Sequence, residues 1–236
     1  MRNLLWKEFW QNSQSLLAIG IVLVVPYAIA PMIYSIYALQ GSSESFGKPV
    51  WAGLLEMAGK MGLALSVVMA GFVGSILIAG ERMDRSAEFA GYLPVPRGKS
   101  VVCKALVGLV YCLAAWILGT VVVVITRRLQ PPGGVFGDHP IGDATLSILW
   151  MYLGGILIFF GIAWFFSALL RNPATAAAGA LGTGAALAIA GKAIHSFLAE
   201  PSAETFATVS LCRLTPAIGL LFFAAGTVIC LRRVEP

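Results

Sequence analysis

Charge is what this sequence has little of. Of its 236 residues, 16 are Lys or Arg and 11 are Asp or Glu, so charged side chains make up 11% of the chain against 58% apolar ones. A soluble domain usually carries about 25% charged residues, and half that density cannot cover a water-soluble globule of this size. With a mean hydropathy of +0.86, the composition is that of a membrane protein. It also excludes intrinsic disorder, which needs low hydrophobicity and high net charge. Cysteine is sparse and poorly spaced for chemistry. Cys103, Cys112, Cys212 and Cys230 form no CxxC pair and no metal-ligand spacing, which argues against a zinc site and a disulfide scaffold. His139 beside Asp138 comes nearest to a metal pair, and two residues make no site.

Catalytic signatures are missing too. The sequence holds no GxSxG, no HExxH and no carboxylate pair at membrane depth. Gly98-Lys99-Ser100 imitates the end of a phosphate-binding loop, but that motif needs a glycine at position 93, which is Leu. With no nucleotide-binding or catalytic motif, the chain is expected to be no enzyme and to need no cofactor and no metal.

The places where charge is absent define the architecture. Charge-free gaps of 35, 20, 22, 27, 20 and 18 residues lie between Glu8 and Glu44, Lys60 and Glu81, Lys104 and Arg127, Asp143 and Arg171, Arg171 and Lys192, and Arg213 and Arg232. A helix needs about 20 apolar residues to cross a bilayer, so each gap holds one span. The reading is an all-α polytopic membrane protein in a single domain, 1–236. Its six transmembrane helices lie near 16–39, 61–80, 105–126, 145–167, 174–193 and 214–231. Barrel strands would be shorter and would alternate with polar residues. The fifth span is the least hydrophobic in character, being rich in Ala and Gly. Ala28-Ile29-Ala30 resembles a signal cleavage site, but the apolar run before it is too long for a signal peptide.

Six spans put both termini on one side. With that side cytoplasmic, the inner segments hold ten basic residues and the outer segments six, in line with the positive-inside rule. The acidic residues split five and six, so the net charge of +5 falls wholly on the inner face. The basic balance is therefore topological, and no nucleic-acid partner is implied. No Asp, Glu, Lys, Arg or His lies inside the spans as drawn. This weighs against a proton-coupled carrier, although backbone carbonyls can bind sodium.

Two small-residue stripes, Gly62-Ser66-Ala70-Gly74 and Ala176-Ala180-Gly184-Ala188, predict close helix approach, within one subunit or at a dimer seam. Ahead of the first span, Leu5, Trp6, Phe9 and Trp10 share one helical face. Indole rings favour the headgroup layer, so residues 1–15 read as an interfacial helix lying among membrane lipids.

The loop 81–104, ERMDRSAEFAGYLPVPRGKSVVCK, concentrates the missing charge, with 8 of its 24 residues charged. Arg82 to Leu93 can form a short helix, which Pro94 and Pro96 would end. Glu81-Arg82, with Ser86, Ala87 and Glu88 following, then Leu93-Pro94-Val95-Pro96-Arg97 and Lys104 opening a span, resembles the membrane subunits of type-2 ATP-binding-cassette (ABC) transporters. The opening Leu4-Leu5-Trp6-Lys7-Glu8-Phe9 and the turn Ser167-Ala168-Leu169-Leu170-Arg171-Asn172-Pro173 carry further likeness.

That resemblance implies a permease subunit that pairs with a second permease and docks a separate ATPase through the loop, its coupling helix. Glu81, Arg82, Asp84, Arg85, Glu88, Phe89 and Tyr92 would then lie at or near the ATPase contact. It implies multi-pass placement in a bacterial-type inner membrane and favours export, since type-2 relatives are mostly exporters. It names no substrate. A non-transporting scaffold or regulatory subunit, and a sodium-coupled carrier, are the alternatives that the residues leave open.

Overall fold

The computed structural model describes residues 2–39, 48–83, 96–129, 143–198 and 204–232. Within them the chain is all helix, with no strand: α1 (Arg2–Leu39), α2 (Lys48–Met83), α3 (Arg97–Leu129), α4 (Asp143–Leu169), α5 (Pro173–Leu198) and α6 (Glu204–Arg232). Each helix occupies one charge-free gap, and all but α4 run past it at one end or both, since Lys, Arg and Glu among the flanking residues are good helix formers too. All but α5 are long and apolar enough to cross a membrane. The 26 residues of α5 rise about 39 Å, which suffices in length.

The outer surface confirms the solvent. Leu17, Ile21 and Met32 of α1, Val110, Ile117 and Leu118 of α3, and Leu220 and Leu221 of α6 are all exposed. An apolar belt on several long helices is stable against hydrocarbon and not against water. Three buried serine hydroxyls are satisfied within their own helices, as hydrocarbon demands. Ser66 donates to the Leu63 carbonyl at 2.6 Å, Ser75 to Phe72 at 2.8 Å and Ser167 to Trp164 at 2.9 Å.

Side-chain contacts fix the directions of the helices. Glycine 62 of α2 sits under the Tyr27 ring of α1, Gly119 of α3 under Leu63 of α2, and Gly184 of α5 under Phe159 of α4. Together with the ion pairs described below, these contacts make the helices alternate in direction. Both termini, the 84–95 segment and the α4–α5 turn therefore share one end, called here the loop end. The centre of the bundle is α2 and α4. Their faces bury Val73, Leu77, Ile156, Phe160 and Trp164, with Phe223 of α6 closing the cluster. The ring centroids of Trp164 and Phe223 lie 5.2 Å apart, and the indole N–H of Trp164 donates to the Thr227 hydroxyl at 3.2 Å.

Both small-residue stripes pack inside this chain. Ser66, Ala70, Ala176 and Ala180 are buried, a Cβ on Gly74 would fall 2.8 Å from the Phe160 carbonyl, and Gly184 faces the Phe159 ring. The side chain of Ala188 lies outside the described residues.

The N-terminal segment differs from expectation. A separate in-plane helix over 1–15 would need a break before the first span, but α1 runs unbroken from Arg2 to Leu39. The first proline of that helix is Pro26, and the first glycine is Gly20. Nothing interrupts the backbone hydrogen bonds where the in-plane helix would have to end. The aromatic face is present as read: Trp6 and Trp10 are exposed and stack at 6.0 Å.

At the loop end, the turn from α4 to α5 is closed by an N-cap. The Asn172 side-chain oxygen accepts from the Ala174 amide at 2.8 Å, and Pro173 occupies the first helical position, where no amide is needed. Asn172→Ala should lower stability by about 1 kcal/mol, the usual worth of such a cap. Thermal unfolding in detergent reads this, and Asn172→Asp should retain most of the stability.

Candidate functional site

The loop that concentrates charge in the sequence leaves α2 at Met83 and re-enters at Arg97 of α3. Its two ends are tied together. Lys104, about two turns into α3, donates from Nζ to Glu81 Oε2, near the end of α2. Their side chains are only 9% and 11% exposed, so the pair is largely desolvated. These are the first and last charges of the motif read in the sequence, and the fold makes them partners.

A third group completes the site. Glu8 of α1 is 1% exposed, and its carboxyl faces Lys104, Glu81, Lys7 and the Ser100 hydroxyl. Its Oε2 is buried with no hydrogen-bond partner among the described residues. Asn12, one turn on, is also buried and donates to the Glu8 carbonyl at 2.9 Å. Two carboxyls thus flank one ammonium group where α1, α2 and α3 meet. Charges are costly when desolvated unless paired, so the lysine holds three helices at once.

The sequence reading missed Glu8. A signal was available: Glu8, Asn12, Leu16 and Ile19 recur at helical spacing on the side of α1 away from Trp6 and Trp10, and all four are buried. A carboxyl and an amide continuing an apolar stripe mark a buried polar contact. Of the other residues read as ATPase-facing, Arg82 closes the last turn of α2, with its side chain outside the described residues. Asp84, Arg85, Glu88, Phe89 and Tyr92 lie outside the described residues altogether.

The opposite end has a counterpart. Glu56 of α2, buried, pairs with Lys60 at 2.7 Å and with Arg127 of α3 at 2.9 Å. Each end of the α2–α3 pair is therefore pinned by a carboxylate and a cation, while the interior contact is glycine against leucine at Gly108–Leu77 and Gly119–Leu63. No group of three or more His, Cys, Asp and Glu suited to a metal occurs among the described residues.

A family model described as "ABC-2 family transporter protein" matches residues 2–211. No curated protein and no solved structure matches the chain.

Proposed function

The chain belongs to the ABC-2 family of transporter proteins, and from that premise we propose that it is the permease subunit of an ATP-driven exporter in a bacterial-type inner membrane. The family makes it a multi-pass membrane component of a transporter, associated with an ATP-binding-cassette ATPase. In the proposal, two permeases pair, each docking one ATPase subunit through the segment 81–104, and both termini are cytoplasmic. Glu81, Arg82, Asp84, Arg85, Glu88, Phe89 and Tyr92 supply or border the docking surface. ATP binding and hydrolysis reside in the partner.

What carries the reading, beside the family, is the ion-paired base of the loop. Glu81, Lys104 and Glu8 join the segment to α1, α2 and α3 together, so closure of the ATPase pair would rock the helices as a body. A loop hinged on flexible residues would absorb that motion. The excess of basic residues on the loop end supports the cytoplasmic placement.

The experiment is purification of the tagged chain in mild detergent with mass spectrometry of what accompanies it, beside a variant carrying Arg85→Glu and Glu88→Arg. An ATPase subunit should accompany the wild type and be depleted in the variant. Absence of any ATPase from the wild type across several detergents would sink the proposal and favour a scaffold role.

A further inference from the structure

Between the loop-end halves of α1 and α3 runs an open groove of about 850 Å³. Trp6, Phe9 and Leu16 line it on α1, and Leu106, Val110 and Tyr111 on α3. The Tyr111 hydroxyl is already spent, donating to the Leu16 carbonyl at 2.6 Å, which leaves the Trp6 indole N–H as the other polar side-chain group of the lining. The groove therefore offers mostly hydrocarbon walls. Trp6, Phe9, Leu106 and Val110 are exposed along it, which is unstable unless an apolar body covers them.

Charge and position say what covers it. The groove opens at the Trp6–Trp10 stack, the residue type that sits at headgroup depth. Exposed Lys99 lies seven residues before Leu106, hence on the same face of α3. This is also the end of the bundle that carries the whole +5 net charge. We infer that the α1–α3 groove is a binding site for an anionic phospholipid, with an acyl chain along Leu16, Leu106 and Val110 and the headgroup phosphate at Lys99. The floor of the groove is the face of α1 adjoining Glu8, and its α3 wall continues toward Lys104. A bound lipid thus wedges the two helices that the Glu8–Lys104–Glu81 cluster joins. The inference rests on the membrane-spanning fold and stands apart from the transport reading.

The test uses the full-length chain, delipidated in detergent and titrated with phosphatidylglycerol or phosphatidylethanolamine of matched acyl chains, read by native mass spectrometry. One lysine at a membrane surface should give the first phosphatidylglycerol a roughly 5-fold preference over phosphatidylethanolamine. Lys99→Glu should abolish that preference while leaving a bound lipid. Val110→Trp with Ala114→Trp fills the groove and should remove that tight lipid entirely. Should the filled variant fail to purify, Leu106→Asn, which adds polarity without bulk, should weaken binding of both lipids. Equal lipid retention by the wild type and the groove variants would overturn the inference. So would a change from two copies to one on filling the groove, because the occupant would then be a second copy of this chain.

Discussion

Lys104→Met should lower the stability of the bundle more than any other single change at the loop end. It removes the lysine paired with Glu81 and leaves two largely buried carboxyls, Glu8 and Glu81, near each other. Breaking a buried ion pair from one side costs about 3–5 kcal/mol, because the surviving charge stays desolvated and unpaired. For a chain of this size that corresponds to a fall of roughly 6–20 °C in unfolding temperature. The double variant Glu81→Gln, Lys104→Met should recover most of the loss, since removing both charges removes the desolvation penalty with the attraction.

Glu8→Gln provides the opposing expectation. Glu8 Oε2 has no hydrogen-bond partner in the described structure, and the Lys104–Glu81 pair survives the change. Trading one surplus carboxyl for an amide of the same shape should shift stability by no more than about 1 kcal/mol, in either direction. The measurement is thermal unfolding of the four proteins in one detergent. If Glu8→Gln proved as damaging as Lys104→Met, Glu8 would be the lysine's main partner, and Glu81 would be free to serve the docking surface directly.

How much of this was legible in the sequence follows from what each feature depends on. The number of helices came through because charge is excluded from hydrocarbon at any packing arrangement, so six gaps translate into six helices without knowledge of neighbours, five of them apolar enough to be spans. The ends of the helices did not come through. Glu56 and Lys60 read as loop, yet they lie on α2, where Glu56 is held by Arg127 from seventy-one residues away. Such a pairing appears only once α2 and α3 are laid side by side. The first and last charges of the loop, Glu81 and Lys104, were singled out by resemblance, but their bond to each other was not. Glu8 was passed over because a single charge near a terminus reads as solvated until the face it shares with Asn12, Leu16 and Ile19 is traced. The stripe at spacing four on α2 was read correctly as a packing surface. The glycines that allow the closest approach in the bundle recur at spacing seven, and that longer period escaped notice.

Those glycines give the other large expected effect. Gly154 and Gly161 of α4 oppose Thr215 and Gly219 of α6, and Gly226 opposes the backbone of Phe165. A Cβ on Gly161 would lie 2.1 Å from the Gly219 carbonyl oxygen, and one on Gly219 would lie 2.5 Å from the Leu157 carbonyl oxygen. Both obstacles are main chain, which cannot rotate aside as a side-chain tip can. Adding one methyl group at Gly161 therefore forces α4 and α6 apart, loosening the Trp164–Phe223 contact and the Trp164–Thr227 hydrogen bond nearby. Overpacking of this kind costs about 1–3 kcal/mol and more where backbone is the obstacle.

The same substitution at Gly182 of α5 should act with the opposite sign. A Cβ there meets nothing within 4 Å, and replacing a mid-helix glycine with alanine gains about 0.5–1 kcal/mol from the restricted unfolded chain. Gly161→Ala should thus lower the unfolding temperature and Gly182→Ala raise it, though both add one methyl group to a helix of the bundle. Because the chemistry added is identical, a difference in sign isolates packing from propensity. A stable Gly161→Ala would mean that α4 and α6 do not approach as closely as described. A destabilising Gly182→Ala, read in the purified assembly, would place that open face of α5 against a second subunit, where the absent side chain makes room for the partner.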